Sequence, residues 1–200
     1  MFYETARGHG LPHDPVKALI APRPIGWICA MSAAGDVNLS PYSFFNQISD
    51  APHMVMFSSA GRKDALAFVE ETGEFTCSVV SWDQRDAMNA TSAPLPRGHS
   101  EFSHAGLEPE PSRLVRPPHV RGAPAALECR LLRTVELTPL DGSTANYIMV
   151  IGQVIGVHID DRYLRDGTVD TTAMQVISRA GYADYYRADT RFALPRPMRA

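Results

Sequence analysis

The sequence predicts a mainly β protein with peripheral helices, built as a closed antiparallel barrel of Greek-key-like type. Three observations lead there. Short apolar runs bounded by Gly, Pro and Asp recur along the chain; few segments show helical spacing; and two long strand-like segments, 125–137 and 146–158, face each other across a turn. A length of 200 residues suits one well-packed domain. No repeat, low-complexity tract or linker divides it, so residues 1–200 read as a single domain with a core at about 15–197.

The elements follow in order. Residues 14–19 allow one or two helical turns before Pro22-Arg23-Pro24 stops them. Residues 25–31 form a continuous apolar run, as a strand buried on both faces requires. Ala34-Gly35-Asp36 supplies a turn and residues 37–40 return as the second strand of a hairpin. Residues 53–58 are a short strand. Over 63–72, Ala65, Leu66, Phe68 and Val69 make a helical stripe, with Gly73 placed for a C-terminal cap. A strand over 74–80 and a short helix over 82–89 come next. Residues 92–124 are rich in Pro, Gly and His without periodicity, and loops of that length are usually functional or interfacial. The runs 125–137 and 146–158 make the clearest hairpin, turning at Asp141-Gly142. Residues 173–179 show helical spacing ahead of an aromatic, arginine-rich tail.

Composition excludes several classes. A net charge of −3 gives no basic field, so nucleic acid is not an expected partner. No apolar stretch approaches a membrane span, and Glu4, Arg7 and His9 stand where a signal peptide needs an apolar core, so the expectation is a cytoplasmic protein. The cysteines Cys29, Cys77 and Cys129 are widely spaced within apolar runs and read as buried reduced thiols. No zinc or other metal motif appears among Cys and His. Phosphate loops of the GxxxxGK[ST] and GxGxxG kinds are missing, as is a G-x-S-x-G elbow.

Two stretches carry chemistry. The first, Asn38-Leu39-Ser40-Pro41-Tyr42-Ser43-Phe44-Phe45-Asn46, offers hydroxyls, an amide and aromatic faces within a short span. A planar heteroaromatic ligand needs that mixture of stacking surface and orienting polar groups. The plainer alternative is a proline-directed turn with both phenylalanines in the core. The second stretch, residues 57–64, brings Ser58, Ser59, Arg62 and Lys63 to the start of the predicted helix. Free amides, the helix dipole and two cations make an anion site there, the alternative being solvated surface charge. His158 ends a long strand and stands either at a ligand on the barrel rim or as a structural donor.

Taken together, Arg23-Pro24-Ile25-Gly26-Trp27, the 38–46 stretch, Arg62-Lys63-Asp64-Ala65-Leu66 and Gly73-Glu74-Phe75 resemble the flavin reductase-like family, an FMN-binding split-barrel group. Its members include flavoredoxin and the reductase component of nitrilotriacetate monooxygenase. Met88-Asn89-Ala90-Thr91-Ser92, Glu101-Phe102, Ala126-Leu127-Glu128-Cys129 and Gly156-Val157-His158-Ile159 continue the match in register. The resemblance implies an FMN-binding split β-barrel working as a homodimer with one FMN per subunit. It places Ser40, Tyr42, Ser43 and Asn46 along the isoalloxazine, Ser58, Ser59, Arg62 and Lys63 at the ribityl phosphate, and Asn89 and Ser92 near the flavin or the partner subunit. His158, Arg179, Tyr182 and Tyr185 fall at the outer face, and no catalytic residue is assigned beyond His158 as a candidate. Gln153, Ala180 and His99-Ser100 depart from the family pattern, which leaves the substrate open.

The function so implied is an NAD(P)H-dependent flavin reductase, with NADH or NADPH as co-substrate and a partner oxygenase or other acceptor taking the electrons. An FMN-binding electron carrier or redox sensor without nicotinamide turnover, and a flavoenzyme acting directly on an organic substrate, share the same motifs.

Overall fold

The computed structural model describes residues 1–197, so the last three positions of the expected 1–200 domain lie outside the described residues. A short helix α1 (Val16–Leu19) leads into β1 (Arg23–Pro24), and two hairpins follow: β2 (Gly26–Met31) with β3 (Val37–Tyr42), and β4 (Phe45–Asp50) with β5 (His53–Ala60). Next come α2 (Asp64–Thr72), β6 (Glu74–Ser78), α3 (Arg85–Ala90) and α4 (Glu101–His104). The small pair β7 (Pro109–Glu110) and β8 (His119–Val120) precedes the long hairpin β9 (Ala125–Glu136) and β10 (Tyr147–Ile159). The chain ends in β11 (Leu164–Arg165), β12 (Thr168–Val169), β13 (Ile177–Arg179) and β14 (Tyr185–Arg187).

Seven strands form one antiparallel sheet in the order β3-β2-β6-β9-β10-β5-β4. Its two outer strands are successive in the chain, joined only by Ser43-Phe44, so the sheet must curl to bring them together. It does so at one corner. The Ser58 N–H donates to the Phe44 carbonyl at 2.9 Å. The Phe45 ring lies so close over Gly26 that an added Cβ would stand 2.5 Å from it.

The expected closure into a barrel is not made by strand pairing, because no ladder joins β3 to β4 among the described residues. Alternate residues of β3 turn their N–H groups to its outer edge. There the Leu39 N–H is taken by the Glu101 carboxylate at 2.9 Å, and Pro41 has none to give.

Two apolar clusters share β2, which is buried on both faces as its uninterrupted apolar run predicts. Ile28, Phe57, Phe75 and Val150 fill the curl of the sheet and are covered by Leu66, Phe68 and Val69 of α2. Trp27, Leu39, Met88 and Phe102 form the second cluster, where the Trp27 indole N–H reaches the Thr91 hydroxyl at 2.9 Å. Gly73 caps α2 in the left-handed conformation at φ 72°, as expected.

Other expectations need correction. Helical spacing over 173–179 gives way to the strand β13, which pairs with β1 and β14. Stretch 92–124, read as loop, holds α4 and the β7–β8 pair. Strand β4 carries no sequence signal, because its polar residues, Asn46, Gln47, Ser49 and Asp50, make a largely exposed outer strand without apolar alternation. The three cysteines are buried and unpaired. Burial pushes all three thiols up, Cys77 to about 12.

Candidate functional site

The β3–β4 corner and the end of β5 form one wall of a cavity of about 870 Å³. Ser40, Tyr42 and Ser43 reach it from β3 and its exit, and Ser58 from β5. Lys63 reaches it from the residue before α2, with Asn89 from α3 and Ser92 from the loop beyond. The structure thus gathers most of the residues singled out in the sequence around one volume.

Four of them it places elsewhere. Ser58 and Ser59 are neighbours on a strand, so they face opposite sides. Ser59 is fully buried and donates to the Gly61 carbonyl at 2.8 Å. Asn46 is exposed on β4, where its Oδ1 accepts from the Gln47 N–H at 2.9 Å. Arg62 pairs with Glu70 and, at 3.7 Å, with Glu136. His158 lies outside the lining: its Nε2 stands 2.5 Å from Glu128 Oε1 and its ring packs 4.3 Å from that of His119. Glu128 also accepts the N–H groups of Arg113, Leu114 and Val115, so this corner ties the 113–115 loop to the long hairpin. Burial pushes the Glu128 carboxyl up, but these donors and His158 outweigh it and hold it below its ordinary value. His119 is lowered by burial and by His158 beside it.

The cavity has aromatic walls from Tyr42, Phe44, Tyr147, Tyr182 and Tyr185. Its charged lining is Lys17, Arg23, Lys63 and Arg179 against Asp64 and Glu101, a net positive surround. At one end α2 starts. Its first backbone bond runs from the Ala67 N–H to the Lys63 carbonyl, which leaves the preceding amides without helical acceptors, and among the described residues the Lys63 side chain does not cap them. Lys63 makes no ion pair among the described residues. The Ser58 Oγ is buried with no hydrogen-bond partner among the described residues, an open demand for a polar group.

Sequence reasoning missed Lys17, Arg23, Tyr147 and Glu101. Arg23 is nearly buried and its guanidinium donates to the carbonyls of Lys17, Ile20 (2.6 Å) and Ala180 (2.9 Å), stapling α1 and the β13–β14 turn to the site. Its Nε is a second buried atom without a partner among the described residues. The one signal for Glu101 in the sequence is its place in the Glu101-Phe102 pair of the family resemblance. Burial raises its carboxyl above the ordinary value, with the Leu39 N–H and the Asn38 amide offsetting part of that. Burial likewise raises the Tyr42 phenol, opposed by the Ser59 hydroxyl and reinforced by Glu101 and Asp64.

The curled antiparallel sheet makes this a mainly β protein whose cavity has aromatic walls and a net positive surround. The chain belongs to the flavin reductase like domain family, whose match spans residues 19–174. It is 35% identical over 190 residues to an uncharacterized protein of Deinococcus radiodurans, covering 88% of this chain and 80% of that one. Among solved structures it is similar to nitrilotriacetate monooxygenase component B from Bacillus cereus, with 29% identity, a TM-score of 0.86, and coverage of 97% of this chain and 98% of that one. Its fold also matches flavoredoxin of Desulfovibrio vulgaris at a TM-score of 0.78 and 20% identity, over 93% and 97% of the two chains.

Proposed function

We propose that this chain binds FMN in the 870 Å³ cavity and acts as an NAD(P)H-dependent flavin reductase. The observation that carries the reading is the unpartnered Ser58 Oγ on the same cavity wall as Lys63 and the uncapped start of α2. A phosphate monoester meets all three demands at once. FMN, when bound, supplies hydride acceptance and stepwise electron delivery, which no side chain here provides.

The residues divide that work. Lys63, Ser58 and the first amides of α2 hold the phosphate, while Ser40, Tyr42 and Ser43 line the ring. Asn89 and Ser92 add polar lining, with the Ser92 hydroxyl donating to the Asn89 carbonyl at 2.6 Å. Tyr42 stays a neutral phenol, since burial disfavours its anion. Arg179, on the cavity lining with Tyr182 and Tyr185, donates to the Tyr185 hydroxyl and the Tyr182 carbonyl, and NADH or NADPH would approach the bound flavin from this side. No protein acid or base is assigned. Arg62 contributes to the phosphate less than Lys63, being drawn to Glu70 and Glu136.

On this reading the protein is one domain, a split barrel closed at the β3–β4 corner, a homodimer and cytoplasmic. The likeness to a monooxygenase component B supports delivery of electrons to a partner oxygenase. The test is an absorbance titration with FMN, followed by anaerobic NADH and NADPH. Flavin that binds and bleaches with either nucleotide supports the reductase. Bound flavin that stays oxidised refutes the nicotinamide step, and absence of flavin binding refutes the cofactor.

A further inference from the structure

Three polar residues on the cavity wall form a chain whose hydrogen-bond direction is set from one end. Glu101 is 6% exposed and Asn38 7%, and both line the cavity beside Ser40. Glu101 Oε2 accepts the Leu39 N–H at 2.9 Å, and Oε1 accepts the Asn38 side-chain amide at 2.8 Å. A carboxylate only accepts, so Asn38 must turn its NH₂ group towards Glu101. Its Oδ1 then faces Ser40, 3.3 Å from the hydroxyl oxygen, and that oxygen also only accepts. The Ser40 hydroxyl therefore donates inward, along the strand. Its lone pairs are what it offers the cavity.

We propose that the Glu101–Asn38–Ser40 chain makes this wall a hydrogen-bond acceptor that selects a ligand edge bearing an N–H donor. Resting on the FMN reading above, the group selected is the imide N3–H, the only N–H of the oxidised isoalloxazine ring. Ser40 is the specificity residue, and Asn38 and Glu101 are positioning residues that act through it. Had Asn38 been free to flip, the Ser40 hydroxyl would rotate to donate or accept as the ligand required, and the wall would not discriminate. Glu101 removes that freedom, and it has a second anchor in β3 through the Leu39 N–H, so its carboxylate cannot swing away without exposing a strand edge.

The experiment compares the dissociation constants of FMN and 3-methyl-FMN, by fluorescence quenching, for the full chain and the variants Ser40→Ala, Asn38→Ala and Glu101→Gln. One neutral hydrogen bond corresponds to about three- to tenfold in affinity. The unaltered protein is expected to prefer FMN by at least about fivefold, since methylation removes the donor. Ser40→Ala is expected to bring that preference below about twofold, because it removes the acceptor and opens room for the methyl group. Asn38→Ala and Glu101→Gln are expected to lower it in part, as the hydroxyl regains its rotation. The ratio of the two ligands is the readout, because a general loosening of the fold weakens both alike. If Ser40→Ala keeps the full preference, the proposal is overturned while FMN binding stands. If Ser40→Ala abolishes it but folded Asn38→Ala and Glu101→Gln do not alter it, the directing chain is refuted. Failure of the unaltered protein to bind either flavin overturns the FMN reading itself, a distinct outcome.

Discussion

Replacing Glu128 by Gln tests the polar anchor that joins the 92–124 segment to the long hairpin. Glu128 is 1% exposed and its two oxygens accept from Arg113 N (2.8 Å), Leu114 N (2.6 Å), Val115 N (3.1 Å) and His158 Nε2 (2.5 Å). Glutamine keeps the shape but turns one acceptor into an NH₂ group facing N–H donors. The lost charge-assisted bonds and the stranded donors together cost about 2–4 kcal/mol, less than their sum because the loop relaxes. For a chain of this size that is a fall in melting temperature of about 5–15 °C. The pH dependence has a definite sign. The folded carboxyl is held below its ordinary value of 4.5, so its contribution is full above that value and is lost as pH falls through the lower folded value. Thermal melts of both proteins should differ by a constant amount from neutral pH down to about 4.5, then converge as acid protonates Glu128. Equal stability at neutral pH, or a gap that does not narrow in acid, would show that the carboxylate is not the anchor.

Lys63→Ala should weaken FMN binding by about 1.5–3 kcal/mol, as expected for one charge-assisted contact to phosphate, and Arg62→Ala by less than about 1 kcal/mol. Reversed magnitudes in a flavin titration would move the phosphate away from α2. Gly152→Ala places a Cβ 2.4 Å from the Phe75 ring, and denaturant unfolding should show a loss of about 1–3 kcal/mol from overpacking. Cys29, Cys77 and Cys129 should resist a thiol reagent at neutral pH in the folded protein and react together once it is unfolded, since burial holds all three protonated. Fast labelling of the folded chain would contradict that burial.

How far the site was legible depends on where its parts lie in the chain. Ser40, Tyr42 and Ser43 fall within a few residues of one another, and Lys63 opens a helix whose stripe and glycine cap are local signals. Such features depend on neighbours in sequence, so the sequence alone determined them, along with the mainly β class, the strand buried on both faces and the long hairpin. The family resemblance belongs to the same category, being an ordered series of short motifs. Tertiary structure decided the rest. Strand alternation sent Ser58 into the cavity and Ser59 into the core, and Glu70 drew Arg62 out of the cavity lining. Glu128 took His158 out of the site across a separation of 30 residues. Glu101 lies 63 residues from Asn38, and only the packing of α4 on the outer edge of β3 joins them. A local pattern records what a residue does to its own backbone; which charge or hydroxyl it meets depends on how the sheet curls.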